Sequence, residues 1–275
     1  TLQYRRREGY PHRPREAGIE EKCDETQREA MIELHNVDCM EFLKGQPDKF
    51  YDLCIVDPPY GIGEHGGKDR GESVRQKNGT VLRVRHAGHA DKGWDNEPPS
   101  AEYIAELQRV SMNQILWGAN HYSDRLPFAS SAWLIWDKVN GSNDFADVEM
   151  AWTSFGSAAR LFPFMWNGMC QGSPEDGRKQ QGNKALNERR IHPTQKPVAL
   201  YRWLLKNYAK PGQKILDTHG GSMSIAIACD LEGYDLTLCE LDPDYFAAGK
   251  KRLEQHQAQP RLFDAPAPQP TQLTL

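Results

Sequence analysis

The stretch Ile215-Leu216-Asp217-Thr218-His219-Gly220-Gly221-Ser222-Met223-Ser224 reads as a short buried strand that ends on an acid, turns through glycines and enters a helix. That order is the repeating unit of an open α/β sheet, in which ligands gather beyond the carboxyl ends of the strands. Upstream, Leu53-Cys54-Ile55-Val56 is a second buried strand, and it runs into Asp57-Pro58-Pro59-Tyr60-Gly61. Working outward, residues 32–36, 114–117, 132–136, 148–153, 161–166 and 236–239 are further strand candidates. Helices are expected at 40–44, after Pro98-Pro99-Ser100 with Tyr103, Ile104, Leu107 and Val110 at helical spacing, and at 198–208, 224–231 and 245–253. The alternation predicts a mostly parallel sheet covered by helices on both faces.

This patterned region spans residues 31–256. Residues 1–30, with Arg5-Arg6-Arg7 and little apolar periodicity, are expected to be a disordered extension, and the Pro-, Gln- and Ala-rich residues 257–275 a flexible tail. Two Gly-rich, weakly apolar stretches, 61–97 and 171–190, read as long loops. They concentrate basic residues: Lys68, Arg70, Arg75, Lys77, Arg83, Arg85 and Lys92 in the first, Arg178, Lys179, Lys184, Arg189 and Arg190 in the second. A solvated surface is the plainer reading of such runs.

Over all 275 residues the formal net charge is -4, which excludes a wholly electrostatic nucleic-acid binder. Any nucleic-acid contact must be local. The six cysteines form no C-x-x-C pair, so no metal is expected. No apolar run approaches the roughly 20 residues that span a bilayer, and no apolar leader opens the chain, so a cytoplasmic protein without a membrane partner is expected.

Two constellations carry chemistry. Pro58 and Pro59 have no N–H, so carbonyls near them are left as acceptors beside the Asp57 carboxylate and the Tyr60 ring. Such a trio suits a planar amino group on a heteroaromatic ring: Asp57 and the Pro58 carbonyl each accept one N–H, and Tyr60 stacks. A plain Asp-Pro turn with a buried tyrosine is the alternative. In the second constellation, the glycine turn after Asp217 lets backbone approach a nucleoside-bearing cofactor. Glu240, ending the next strand, stands where ribose hydroxyls are held. Neither a phosphate-binding G-x-x-x-x-G-K-[ST] loop nor a good G-x-G-x-x-G match is present, which disfavours nucleotide triphosphates and dinucleotides.

Together these segments resemble the amino-methylating DNA methyltransferases, with Asp57-Pro58-Pro59-Tyr60 similar to their catalytic motif and Asp217 to Ser224 similar to their cofactor loop. His192-Pro193-Thr194-Gln195-Lys196-Pro197 resembles the segment that precedes that loop and lines the pocket. The motif order is that of the permuted β-type members, many of them phage or prophage enzymes.

The resemblance implies a Rossmann-like S-adenosylmethionine-dependent methyltransferase fold with a seven-stranded sheet. Asp57, Pro58, Pro59 and Tyr60 would be catalytic. Asp38, Thr194, Lys196, Asp217, His219, Gly221, Ser222 and Glu240 would bind the cofactor, and Glu149 would belong to a late-strand motif. The implied reaction methylates the N6 of adenine in double-stranded DNA, leaving S-adenosylhomocysteine, with the base flipped out of the duplex and 61–97 and 171–190 as recognition regions.

Two departures stand out: Thr218-His219 replaces Pro-Phe, and Met223 replaces the family's last glycine. Asn120 and Tyr122, after the strand at 114–117, are candidates to line the base pocket. Competing readings are a cytosine-N4 methyltransferase and, on account of Met223, an inactive DNA-binding or decoy module. A glutamine methyltransferase fits less well, because its motif starts with Asn and its motif order is reversed. The tail segment Gln259-Pro260-Arg261-Leu262-Phe263 is similar to sliding-clamp docking peptides, although an ordinary helix-end tail is the plainer reading. A monomer and a homodimer are both open.

Overall fold

The computed structural model describes residues 30–63, 73–75, 81–83, 93–140, 146–166, 171–174 and 187–259. The expected disordered extension, apart from its last residue, lies outside them, as do the basic residues from Lys68 to Lys92 except Arg75 and Arg83, and the docking-like peptide beyond Gln259.

Among the described residues twelve strands and five α-helices follow one another: β1 (Ile32–His35), α1 (Cys39–Lys44), β2 (Tyr51–Val56), β3 (Ser73–Arg75), β4 (Val81–Arg83), α2 (Ala101–Val110), β5 (Ser111–Trp117), β6 (Leu134–Asp137), β7 (Val148–Thr153), β8 (Arg160–Pro163), β9 (Met165–Trp166), β10 (Gln171–Gly172), α3 (Val198–Tyr208), β11 (Lys214–Asp217), α4 (Ser224–Glu232), β12 (Asp235–Cys239) and α5 (Pro243–Gln257). The main sheet has the order β1-β12-β11-β2-β5-β7-β6-β8. Only β7 runs against the other strands.

The sheet is the mostly parallel, helix-covered α/β sheet expected from the alternation and Rossmann-like as the resemblance implied, but among the described residues it has eight strands where the resemblance implied seven. The extra edge strand, β8, lies parallel to β6 and is largely exposed. The 61–97 stretch also holds the antiparallel β3–β4 pair, whose three-residue strands are too short to leave a periodic signal.

Strand alternation divides the core into two layers. Leu53, Ile55, Ile115 and Trp117 pack with Leu200, Leu204 and Leu205 of α3 and Ile225 and Ala228 of α4. On the other face, Cys54, Val56, Leu116 and Leu216 meet Leu43 of α1 and Tyr103, Ile104, Leu107 and Val110 of α2. With both faces buried, the parallel strands must be apolar throughout, which is why they read as runs.

Three of the five helix starts, those of α1, α2 and α5, are fixed by side-chain caps. The carboxylate of Asp38 accepts from the N–H groups of Met40 and Glu41, Ser100 Oγ accepts from Tyr103 N–H, and Asp242 accepts from Asp244 and Tyr245 N–H ahead of a helix whose first residue is Pro243. Among the described residues, no helix is long and apolar enough to cross a membrane.

The strand order does the work for function. In β1-β12-β11-β2-β5 all five strands are parallel, so Asp38, Glu240, Asp217, Asp57 and Gly118 follow or end neighbouring strands along one carboxyl edge. Two motifs about 160 residues apart in sequence become adjacent because β11 pairs with β2 at Ile215–Leu53 and Leu216–Cys54.

Candidate active site

The loop after β2 is held by a residue that sequence reasoning did not single out. Asp95, buried, accepts through Oδ1 from the N–H of Tyr60 (2.6 Å) and of Gly61 (2.9 Å), the first two N–H groups after the prolines. Gly63 N–H closes the turn on the Asp95 carbonyl at 3.0 Å. Nothing in the local pattern marks Asp95, which sits 35 residues from its partner in a stretch without periodicity.

Tyr60 lies flat across Gly118, whose φ of 69° and missing side chain are both required: a Cβ there would fall 2.0 Å from the Tyr60 ring. The Tyr60 and His121 rings stack at 5.4 Å and 15°, and His121 is exposed. Tyr122 points elsewhere. It is fully buried and its hydroxyl donates to the Trp117 carbonyl at 2.6 Å, while Asn120 is exposed, so His121 is the residue of this segment that meets Tyr60.

Lys196, expected in the cofactor pocket, lies against Asp57. Its ammonium is 2.5 Å from Asp57 Oδ1, 3.0 Å from Glu149 Oε2 and 2.9 Å from the Tyr60 hydroxyl, which uses all three of its donors. The side chain is only 1% exposed. Tyr60 in turn donates its hydroxyl to Asp57 Oδ1 at 2.6 Å, and Lys138 pairs with Glu149 Oε1 at 2.7 Å.

Burial alone would raise the Glu149 carboxyl, but Lys196 and Lys138 together hold it down at about 2. At Asp57 burial prevails over the pull of Lys196, and the carboxyl stays above its ordinary range. Lys196 keeps its charge despite burial, because Asp57 and Glu149 raise it. Both bonds to Asp57 fall on Oδ1, so Oδ2 takes none, and the Pro58 carbonyl likewise accepts none among the described residues.

The glycine turn after β11 is built by carboxylates that accept from main-chain N–H groups. Asp217 Oδ1 accepts from His219 N–H at 3.0 Å, and burial drives this carboxyl up to about 8. Glu240 accepts from Gly221 N–H at 2.6 Å and Asp242 N–H at 2.8 Å, which fixes it in front of the turn. His219 belongs to a small network with Tyr103 and Thr218: Tyr103 Oη and Thr218 Oγ1 are 2.6 Å apart, and Thr218 Oγ1 lies 3.0 Å from His219 Nδ1. Burial lowers His219 to about 4, leaving a neutral imidazole.

Met223 has φ 57°, ψ 31°, the left-handed conformation a glycine would favour. Its side chain is fully buried and fills the space over Gly249 of α5, where a Cβ would come within 2.7 Å of Met223 Cγ and 3.1 Å of the Gly221 carbonyl. The turn thus keeps its backbone course by sending the extra side chain into the core. A glycine inside an amphipathic helix was the sequence signal for this accommodation.

The segment carrying Thr194 and Lys196 is tied to the same turn. The His192 ring packs on Tyr245 at 4.3 Å and lies 3.7 Å from the Cβ position of Gly221, and Thr194 Oγ1 is 3.2 Å from His192 Nδ1. Arg252 donates to the Ser222 carbonyl (2.8 Å), to Ser224 Oγ (2.9 Å) and to Glu188 (2.8 Å), whose carboxylate also accepts from Val198 N–H at the start of α3.

The lining of this pocket is made of carboxyl groups and main-chain polar groups. Asp38, Glu240 and Asp217 follow or end three adjacent strands, and the nearby buried cation, Lys196, is consumed by Asp57 and Glu149. That fits a group bearing hydroxyls and positive charge, and it does not fit phosphates. Among the described residues no cluster of three or more His, Cys, Asp or Glu side chains could hold a metal ion.

Residues 122–251 match the family model described as DNA methylase. The chain is 23% identical over 266 residues to the type II methyltransferase M.HinfI of Haemophilus influenzae, covering 81% of this chain and 68% of that one. It is 25% identical over 224 residues to YubD of Escherichia coli (strain K12), covering 78% and 87%. Among solved structures, the cytosine-N4-specific PvuII DNA methyltransferase superposes with a TM-score of 0.49 at 13% identity, covering 84% of this chain and 91% of that one. The M1.HpyAVI–SAM complex gives 0.48 at 19% identity, covering 81% and 99%.

Proposed function

We propose that this chain, an S-adenosylmethionine-dependent DNA methyltransferase of the N6/N4 DNA methylase family, methylates the N6 amino group of adenine held outside the double helix. The observation that carries this reading is the presentation of Asp57. Its Oδ1 is pinned by Lys196 and Tyr60, and Oδ2 and the Pro58 carbonyl are left as two acceptors beside the Asp217–Glu240 turn.

Asp38, Asp217, Glu240 and the backbone of Gly221 and Ser222 would hold the cofactor, with Thr194 and His219 behind them. When bound, S-adenosylmethionine supplies an electrophilic methyl group whose bond to sulfur breaks, leaving the electron pair on sulfur. The chain's own residues prepare the nucleophile. Adenine's amino nitrogen has its lone pair delocalised into the ring, and two acceptors drawing on its two N–H bonds favour the pyramidal form that frees the pair. Both contacts strengthen as the nitrogen gains positive charge in forming its bond to carbon, so they lower the barrier rather than merely bind. The nitrogen then releases one proton to solvent.

A flipped base is needed because the amino group is out of reach inside a stacked duplex. The Tyr60 ring offers it a face, the one on which His121 now lies. Residues 61–97 and 171–190 are the proposed DNA-contacting regions. The leading Asp57 supports adenine over cytosine only through the resemblance, in which an Asp-first motif leans to adenine and a Ser-first motif to cytosine, and the decoy reading loses its motive because Met223 is turned into the core. Mass spectrometry of nucleosides from DNA incubated with the protein and labelled cofactor tests the assignment: labelled N6-methyladenine is expected, and labelled N4-methylcytosine would replace it with the alternative.

A further inference from the structure

Lys196 joins the catalytic loop to Glu149, a carboxylate that the reaction above leaves without a task. We infer that Lys196 is a positioning residue: shared between Asp57 and Glu149, it fixes the Asp57 rotamer through Oδ1 and keeps that side chain an acceptor, with Glu149 anchoring the ammonium from behind. The inference rests on the reading of Asp57 as the acceptor of the substrate's N–H.

The geometry supplies the argument. Lys196 Nζ lies within hydrogen-bond distance of both carboxylates and of the Tyr60 hydroxyl. The residues on either side of it are pinned: Gln195 O accepts from Trp166 Nε1 at 2.9 Å, Gln195 Oε1 accepts from Ile191 N–H at 2.9 Å, and Glu188 accepts from Val198 N–H at the start of α3. The Lys196 side chain is thus buried beside the two carboxylates. Glu149 is anchored in turn by Lys138 at 2.7 Å.

The other groups facing Asp57 cannot take over the role. Tyr60 from its own loop, Tyr122 after β5 and Tyr201 from α3 are all raised by burial and remain neutral. Asp217, from β11, is an acid. Arg190 acts on Glu149 but makes its hydrogen bond to the Trp166 carbonyl. Without Lys196, two carboxylates would face each other in a buried site, and such pairs retain a proton. A protonated Asp57 donates where it must accept.

The test is Lys196→Met, alone and combined with Glu149→Gln, followed by two readouts. The first is titration of the Asp57 carboxyl by carbon-13 NMR of labelled protein, with Asp57→Asn identifying the signal. The second is the pH profile of methyl transfer. In Lys196→Met the Asp57 titration and the acid limb of the profile should both move up by about two pH units, the scale on which an adjacent charge acts. Glu149→Gln in that background should return both most of the way.

A Lys196→Met protein whose Asp57 titrates as in the wild type, or whose activity falls equally at every pH with no rescue by Glu149→Gln, overturns the inference. If the wild type methylates no DNA, the proposed reaction fails, and the NMR titration still decides the role of Lys196. Should Lys196→Met fail to fold, the double variant, which removes the facing pair, carries the same titration. An Asp57 there that titrates more than one unit above its wild-type position counts against the inference.

Discussion

Two carboxylates at the ends of neighbouring strands, Asp57 after β2 and Asp217 ending β11, are held in opposite ways. Asp57 has a buried ammonium at 2.5 Å and a tyrosine hydroxyl at 2.6 Å, with the second carboxylate of the cluster, Glu149, paired to two lysines. Asp217 accepts one main-chain N–H and is driven up to about 8 by burial. The first region is charge-compensated before any ligand arrives, whereas the second lacks a cation of its own. Under the proposed function that difference separates the roles: the compensated side is preorganised to act on a neutral amino group, and the side kept protonated by burial would give up its proton on binding a positively charged partner.

The contrast breaks most visibly at Asp57. Asp57→Ala should lower methyl transfer by about a thousandfold or more, the scale of losing a preorganised transition-state contact. Cofactor affinity, measured by calorimetry, should change less than threefold, since the turn after β11 is built without Asp57. Lys196→Met is next in size, with the pH signature described above.

The cofactor side breaks through packing. Gly249→Ala places a methyl 2.7 Å from Met223 Cγ and should destabilise the fold by about 1–3 kcal/mol, the usual cost of overpacking, with weaker cofactor binding. Met223→Gly in the same background should recover part of this, because it removes the clash and relieves a left-handed non-glycine residue worth about 1–2 kcal/mol. Denaturant melts of the four proteins in the cycle measure the coupling. Additive single effects would show that Met223 and Gly249 are independent.

A subtler effect sharpens the comparison. With Asp217 near 8, the free protein carries a proton there at pH 7, and a cationic ligand favours its loss. Cofactor binding at pH 7 should therefore release up to one proton, and affinity should rise as pH increases toward 8. Calorimetry in buffers of different ionisation enthalpy reads the proton directly, and Asp217→Asn should abolish its release.

Much of this was legible along the chain. Buried strands and capped helices leave local patterns, so the α/β alternation followed from apolar runs, glycines and spacing, whereas the adjacency of the two motifs came from the pairing of β11 with β2. What stayed hidden depends on convergence across the sheet edge. Lys196 meets Tyr60 across 136 residues and Asp95 reaches back 35, separations at which no periodicity speaks. Lys196 belonged to a motif expected at the cofactor, and only the strand order turned it toward Asp57. Met223 looked like an obstruction because a sequence shows that a side chain is present but not where it points.

The most direct test of the account is the fate of labelled methyl groups on DNA treated with wild type and with Asp57→Ala, read by nucleoside mass spectrometry alongside cofactor binding. N6-methyladenine is expected from the wild type, and none from a variant that still binds the cofactor. Label on DNA in undiminished amount from Asp57→Ala, or no methylated base from a cofactor-binding wild type, would contradict it.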